Sequence, residues 1–153
     1  MCHIDEIAVF VPNTAIGDVL DVKIVKVLKN YAFGIIDKLI KESPYRIKSD
    51  CPISYKCGGC DYRYIDYAYQ LKLKKDVLVN TLDGFIVKDI IADDNPYYYR
   101  NKVQIPVKDH QMGFYRKFSN DVVVFDDCLI ESKIANEIIS DLKIELVNKR
   151  IDK

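Results

Sequence analysis

No stretch of this chain approaches the eighteen or so consecutive apolar residues of a membrane-spanning helix, so no membrane partner is expected. No targeting segment is recognisable, and the cysteine usage reads as reduced thiols; both favour the cytoplasm. Histidine is scarce. His3 and His110 are isolated in the sequence, which leaves no obvious general base. Charge of neither sign is in excess, since 23 Lys and Arg face 23 Asp and Glu, and net charge alone argues against a nucleic-acid partner. Cysteines number five. That odd count, in a chain long enough to build a core without staples, argues against a disulfide framework.

What is present is the composition of a soluble globular protein, 49% apolar and 30% charged over 153 residues, enough for one domain or two small ones. The charges are not evenly spread. Residues 44–75 carry a net +4, residues 96–117 a further +4, and residues 76–95 between them −4. Two basic segments flanking an acidic one are compatible with an RNA surface and equally with ordinary solvated faces.

The densest chemistry lies in Cys51-Pro-Ile-Ser-Tyr-Lys-Cys57-Gly-Gly-Cys60. A C-x-x-C turn aims two sulfurs into one small volume, and Gly58 and Gly59 keep side-chain bulk away from a ligand there. Cys51 reaches the same point over a five-residue arm whose start Pro52 stiffens. Cys128, the only downstream cysteine, is the natural fourth ligand, and residues 61–127 then form a loop closed on a metal centre. Spacing does not separate zinc from an iron–sulfur cluster, since both accept four thiolates. The C-x3-C-x2-C pattern of radical enzymes is absent, the first gap being five residues.

Along the chain, Ile7–Val11 and Val19–Val27 read as strands, the second with Leu20, Val22 and Ile24 on one side, and Tyr31–Ile36 with Leu39 and Ile40 continues as β structure. Successive short strands suggest a small barrel. Ser43-Pro44 breaks the pattern and marks a domain boundary. Asp66 is a candidate N-cap for a helix to about Leu82, with Tyr67, Leu71, Leu78 and Leu82 on one stripe and Gly84 beyond its end. Val103 to Val107 alternates as a strand, Met112–Tyr115 returns as its partner, and Val122–Phe125 delivers Cys128. Ser132 can cap a last helix whose face is Ile134, Ile138 and Leu142, widened by Ile139 and Leu146. In the hairpin region Arg100, Lys102, Arg116 and Lys117 supply donors for phosphate oxygens, and Asn101 and Gln104 can read base edges.

The order Cys51-x5-Cys57-Gly-Gly-Cys60, Tyr67-Ala-Tyr-Gln70-Leu71-x-x-Lys74, Tyr99-Arg100-Asn101-Lys102-Val103-Gln104, Gly113-Phe114-Tyr115 and Cys128 resembles the 23S ribosomal RNA (uracil-5-)-methyltransferase family, which also contains tRNA uracil-5 enzymes. Val9-Phe10-Val11-Pro12 and Gly17-Asp18 resemble its N-terminal TRAM domain. The resemblance implies an OB-like TRAM barrel over residues 1–43, followed over 44–153 by a small α+β iron–sulfur domain with antiparallel strands and two helices. The usual first TRAM strand has no counterpart before Cys2, so the barrel is expected to be N-terminally incomplete. In that family the cysteines matching Cys51, Cys57, Cys60 and Cys128 hold a [4Fe–4S] cluster.

The same resemblance implies a parent enzyme that methylates uracil C5 in RNA, 23S rRNA being the expected target, with S-adenosylmethionine bound by a separate downstream domain. This sequence contains no G-x-G-x-x-G loop and ends before any such domain, so no residue here is assigned a catalytic role. The chain alone is expected to be inactive, its catalytic domain supplied in cis or in trans. Two alternatives stay open: a stand-alone RNA-binding module with a structural zinc site of four cysteines, and a cluster-based redox protein.

Overall fold

The computed structural model describes residues 2–4 and 6–149. The chain divides into two compact units. One holds the residues up to Lys48 together with Tyr64–Gln70, and the other holds Ser49–Arg63 and the residues from Leu71 onward.

The first unit is a curled four-stranded sheet of β1 (Cys2–Ile4), β2 (Ile7–Phe10), β3 (Val19–Val27) and β4 (Tyr31–Lys41), in the order β1-β2-β4-β3. β2 and β4 run parallel, and the other pairs are antiparallel. Three register shifts along β3 and β4 mark bulges, which bend and twist a strand pair. They curl the sheet around Val9, Val11 and Ala32, against which Val22 and Ile36 pack. Ile24, expected beside Leu20 and Val22, is instead exposed. Gly34 is required at the tightest point, where a Cβ would stand 2.3 Å from Val22 Cγ1. The sheet is a half-barrel with β1 and β3 as its edges. The first strand of this sheet is β1, three exposed residues beginning at Cys2.

A buried ion pair fastens the ends of this unit. Arg46 Nη2 lies 2.5 Å from Asp18 Oδ2, with the side chains 7% and 1% exposed. Asp18 also accepts the N–H groups of Ala15 and Ser43. Burial pushes the Asp18 carboxyl up, but the hydrogen bond from Arg46 and the two backbone donors outweigh it and hold the group below its usual value. Arg46 also donates to Asn13 O and lies over the Tyr64 ring, whose hydroxyl donates to Thr14 O.

The second unit is built on the antiparallel sheet β5 (Val107–Lys108), β6 (Gln111–Tyr115) and β7 (Val122–Val124). α2 (Lys133–Lys149) packs against β6. Val123, Phe125, Ile130, Ile139 and Leu146 are buried, and Phe114 stacks on Phe125 with centroids 4.7 Å apart. Gly113 admits no side chain, since a Cβ would lie 2.2 Å from Val123 O. The strand expected from Val103 shrinks to the two residues of β5. Pro106 has no N–H to contribute to a ladder, and its carbonyl accepts the Gly113 N–H where pairing begins.

Both helices start where their caps place them. Asp66 Oδ1 accepts the Tyr69 N–H at the head of α1 (Tyr67–Thr81), and Ser132 Oγ accepts the Ala135 N–H at the head of α2. Their buried faces differ from the expected stripes. In α1 only Leu73 is buried, while Leu78 and Leu82 are exposed. In α2 the inward face runs Asn136, Ile139, Lys143, Leu146, leaving Ile134, Ile138 and Leu142 exposed. Lys143 can face inward because its ammonium donates to Phe125 O and lies over the Phe125 ring.

Candidate metal centre and adjoining cleft

The three-cysteine segment folds as turns docked on the end of β6. Cys51 O accepts the Ser54 N–H, and Ile53 O accepts those of Lys56 and Cys57. Beyond them Gly58 N–H donates to Tyr115 O at 2.8 Å and Lys117 N–H to Lys56 O at 3.1 Å, so Cys57 bridges to Arg116 like a short extra strand. A Cβ on Gly58 would stand 3.0 Å from Tyr115 O, tighter than a real side chain tolerates comfortably. Ahead of the loop, Asp50 accepts from Arg63 at 2.6 Å and from the Tyr97 hydroxyl at 2.7 Å, which fixes the backbone entering Cys51.

Cys128 arrives just beyond β7, and α2 clamps its peptide from both sides. Asn136 Oδ1 accepts the Cys128 N–H at 2.8 Å, and Asn136 Nδ2 donates to Cys128 O at 3.0 Å. Asn136 is buried and was not singled out from the sequence. The available signal was an amide four residues after the capping Ser132, interrupting the apolar run of α2.

The structure places Cys51, Cys57, Cys60 and Cys128 in one unit, near enough for their charges to perturb one another. Burial first, then the thiolates of Cys128, Cys57 and Cys51, push Cys60 up to about 11, with Arg63 opposing. Cys57 and Cys128 are raised chiefly by burial. Backbone N–H groups are directed at the sulfurs: Gly59 donates to Cys57 Sγ at 3.3 Å, and Ile130 and Glu131 hydrogen-bond Cys128. Among the described residues no group of three or more Cys, His, Asp or Glu closes into ligating geometry. The donor set nonetheless suits a thiophilic metal or cluster. Burial and neighbouring thiolates disfavour ionisation of Cys57, Cys60 and Cys128, a cost that a cationic centre removes. Cys2 belongs to the other unit, exposed at β1.

The proposed RNA contacts separate into two sets. Gln104, Arg116 and Lys117 line a cleft of about 700 Å3 beside Gly58 and Gly59 of the cysteine loop. Arg100, Asn101 and Lys102 are not among its lining residues. Arg100 is built into the fold through backbone hydrogen bonds to Ile130 and Ser132, and its guanidinium stands 3.6 Å from the fully buried carboxylate of Glu131. Neither Glu131 oxygen has a hydrogen-bond partner, and burial holds that carboxyl above its usual value despite Arg100. Asn101 and Lys102 are exposed, and Lys117 pairs with Asp61 at 3.2 Å.

Residues 2–36 match the TRAM domain. The chain is 35% identical over 151 residues to an uncharacterised RNA methyltransferase of Staphylococcus epidermidis, covering 92% of this chain and 33% of that protein. It is 36% identical over 145 residues to one of Bacillus cereus, covering 88% and 32%. The crystal structure of tRNA (uracil-54, C5)-methyltransferase from Pyrococcus abyssi, in complex with S-adenosyl-L-homocysteine, aligns at a TM-score of 0.71 and 28% identity over 94% of this chain and 33% of that one. The chain thus spans about a third of the length of the relatives it matches.

Proposed function

We propose that this chain is the RNA-recognising and iron–sulfur portion of an S-adenosylmethionine-dependent RNA (uracil-C5) methyltransferase acting on 23S rRNA. The observation that carries the reading is the likeness, along nearly the whole chain, to a tRNA uracil-C5 methyltransferase. The relatives named RNA methyltransferases and the TRAM match support it. The ribosomal target rests on the motif order around the cysteines and Tyr99–Gln104, whereas the solved relative acts on tRNA.

In this reading Cys51, Cys57, Cys60 and Cys128 hold a [4Fe–4S] cluster. The cluster supplies a covalent tie between a turn segment and the residue after β7, so that its binding energy becomes folding energy. The chain's own residues prepare that tie. Asn136 fixes the Cys128 peptide, Asp50 anchors the approach to Cys51, and Gly58 lets the loop lie against β6. The half-barrel at residues 1–43 and the cleft beside the cysteine loop bind and position RNA. Methyl-donor binding and methyl transfer are assigned to the two-thirds of such a protein that this chain does not span.

The test is loss of the parent gene followed by nucleoside mass spectrometry of separated 23S rRNA and tRNA. Loss of 5-methyluridine from 23S rRNA alone is expected. Loss from tRNA alone would move the substrate, and loss from neither would overturn the methyltransferase reading. The purified chain is expected to form no 5-methyluridine on either RNA.

A further inference from the structure

The cleft beside the cysteine loop carries a residue that neither the motifs nor the proposed contacts include. Phe118 sits at the apex of the β6–β7 turn with its side chain 90% exposed and its backbone at a φ of +60°. Both features are unfavourable. A large aromatic ring is left in water, and a bulky L-residue adopts the left-handed region that glycine or asparagine takes more readily. The turn does not let the ring escape. Ser119 N–H donates to Arg116 O, Arg116 N–H to Asp121 O, and Asp121 N–H to Ser119 Oγ, locking both sides of the apex. Strain at an exposed aromatic, enforced by its surroundings, points from the outlier to a ligand.

The neighbours define that ligand. Phe118 shares the lining of the cleft of about 700 Å3 with Gln104, Arg116 and the backbone of Gly58 and Gly59. Gln104 offers an amide donor and an acceptor, the pattern that meets a base edge. Arg116 is exposed and has no ion pair among the described residues, whereas the Lys117 ammonium is already neutralised by Asp61. The uncompensated cation next to the ring is therefore Arg116.

We propose that this cleft holds one unpaired nucleotide of the RNA, its base stacked on Phe118, its edge met by Gln104 and its phosphate met by Arg116. The inference rests on the RNA reading above and deepens it. Phe118 becomes a specificity-determining residue for single-stranded over paired RNA, because only an unstacked base presents a free face to the ring.

The test uses the purified full chain and fluorescence anisotropy, with a short single-stranded RNA and a duplex of the same sequence. Phe118→Ala should weaken single-strand binding about tenfold (~1.4 kcal/mol), within the worth of one base stack, and leave duplex binding unchanged. Phe118→Trp should keep the affinity. Arg116→Gln should weaken both and lower the single-strand salt slope by about 0.7. Because both side chains are exposed, the variants are expected to melt with the wild type. Unchanged single-strand affinity in Phe118→Ala, with RNA binding otherwise intact, overturns this inference and leaves the RNA reading standing. No binding of either RNA by the wild type at low salt overturns both. A Phe118→Ala loss that is equal for strand and duplex also overturns it, since a stacked base cannot explain that pattern.

Discussion

Arg46→Met is expected to cost the first unit about 3 kcal/mol of stability, at the lower end of the ~3–5 kcal/mol for breaking a buried ion pair. The substitution leaves Asp18, 1% exposed, without the guanidinium whose Nε and Nη2 donate to its two oxygens. The carboxylate keeps the N–H groups of Ala15 and Ser43, which is why the cost sits low in that range. Domains of this size are stable by only about 5–15 kcal/mol, so the shift is large. Urea unfolding followed by far-UV circular dichroism measures it. A double-mutant cycle with Asp18→Asn removes the part due to the contacts of Arg46 with Asn13 and Tyr64. The pH dependence follows from the lowered Asp18 value. A carboxylate held below its unfolded value contributes stability that is full above about pH 4 and lost as pH falls through the folded value. The difference between wild type and variant should therefore persist at neutral pH and shrink under acid. A cost below about 1 kcal/mol at pH 7, the range of surface pairs, would refute the reasoning.

Three further outcomes are expected. Asn136→Leu removes both hydrogen bonds that clamp the Cys128 peptide and should cost about 2–3 kcal/mol, each stranded buried group costing ~1–3 kcal/mol; lower metal retention on dialysis, read by elemental analysis, should accompany it. Gly113→Ala drives a methyl group into Val123 O and should abolish β6–β7 pairing, seen as lost amide protection in hydrogen exchange across both strands. In α2, Ile139→Ala should cost about 2–4 kcal/mol by thermal melting, whereas Ile138→Gln, at a position 54% exposed, should cost less than about 0.5 kcal/mol in this chain.

That last pair shows where the sequence was legible and where it was not. The extent of β3 and the starts of both helices follow from local chemistry: alternation in Val19–Val27, an acid at Asp66 and a hydroxyl at Ser132. The phase of α2 does not, because isoleucines and leucines occur on every side of it. The inward face includes Asn136 and Lys143, polar residues whose partners, Cys128 and Phe125, lie eight and eighteen positions away. Periodicity cannot register a hydrogen bond to a distant carbonyl. The same limit explains β5, where alternation from Val103 suggested a strand but Pro106 delays the ladder. The cysteine segment was legible because its chemistry is local, two glycines between two thiols. Cys128 lies in the same unit as the other three, and the contacts that fix its peptide, those with Asn136, carry no motif. Phe118 is invisible in sequence because its meaning lies in a backbone angle and an exposure, both properties of the folded turn.

The central claim is that Cys51, Cys57, Cys60 and Cys128 form one four-thiolate iron–sulfur site. Iron, zinc and acid-labile sulfide analysis with visible absorption, on protein purified without oxygen, tests it most directly. We expect about four irons and four sulfides per chain, lost in Cys128→Ala and retained in Cys2→Ala. Stoichiometric zinc without sulfide, or folded soluble protein that binds neither metal, would contradict the claim.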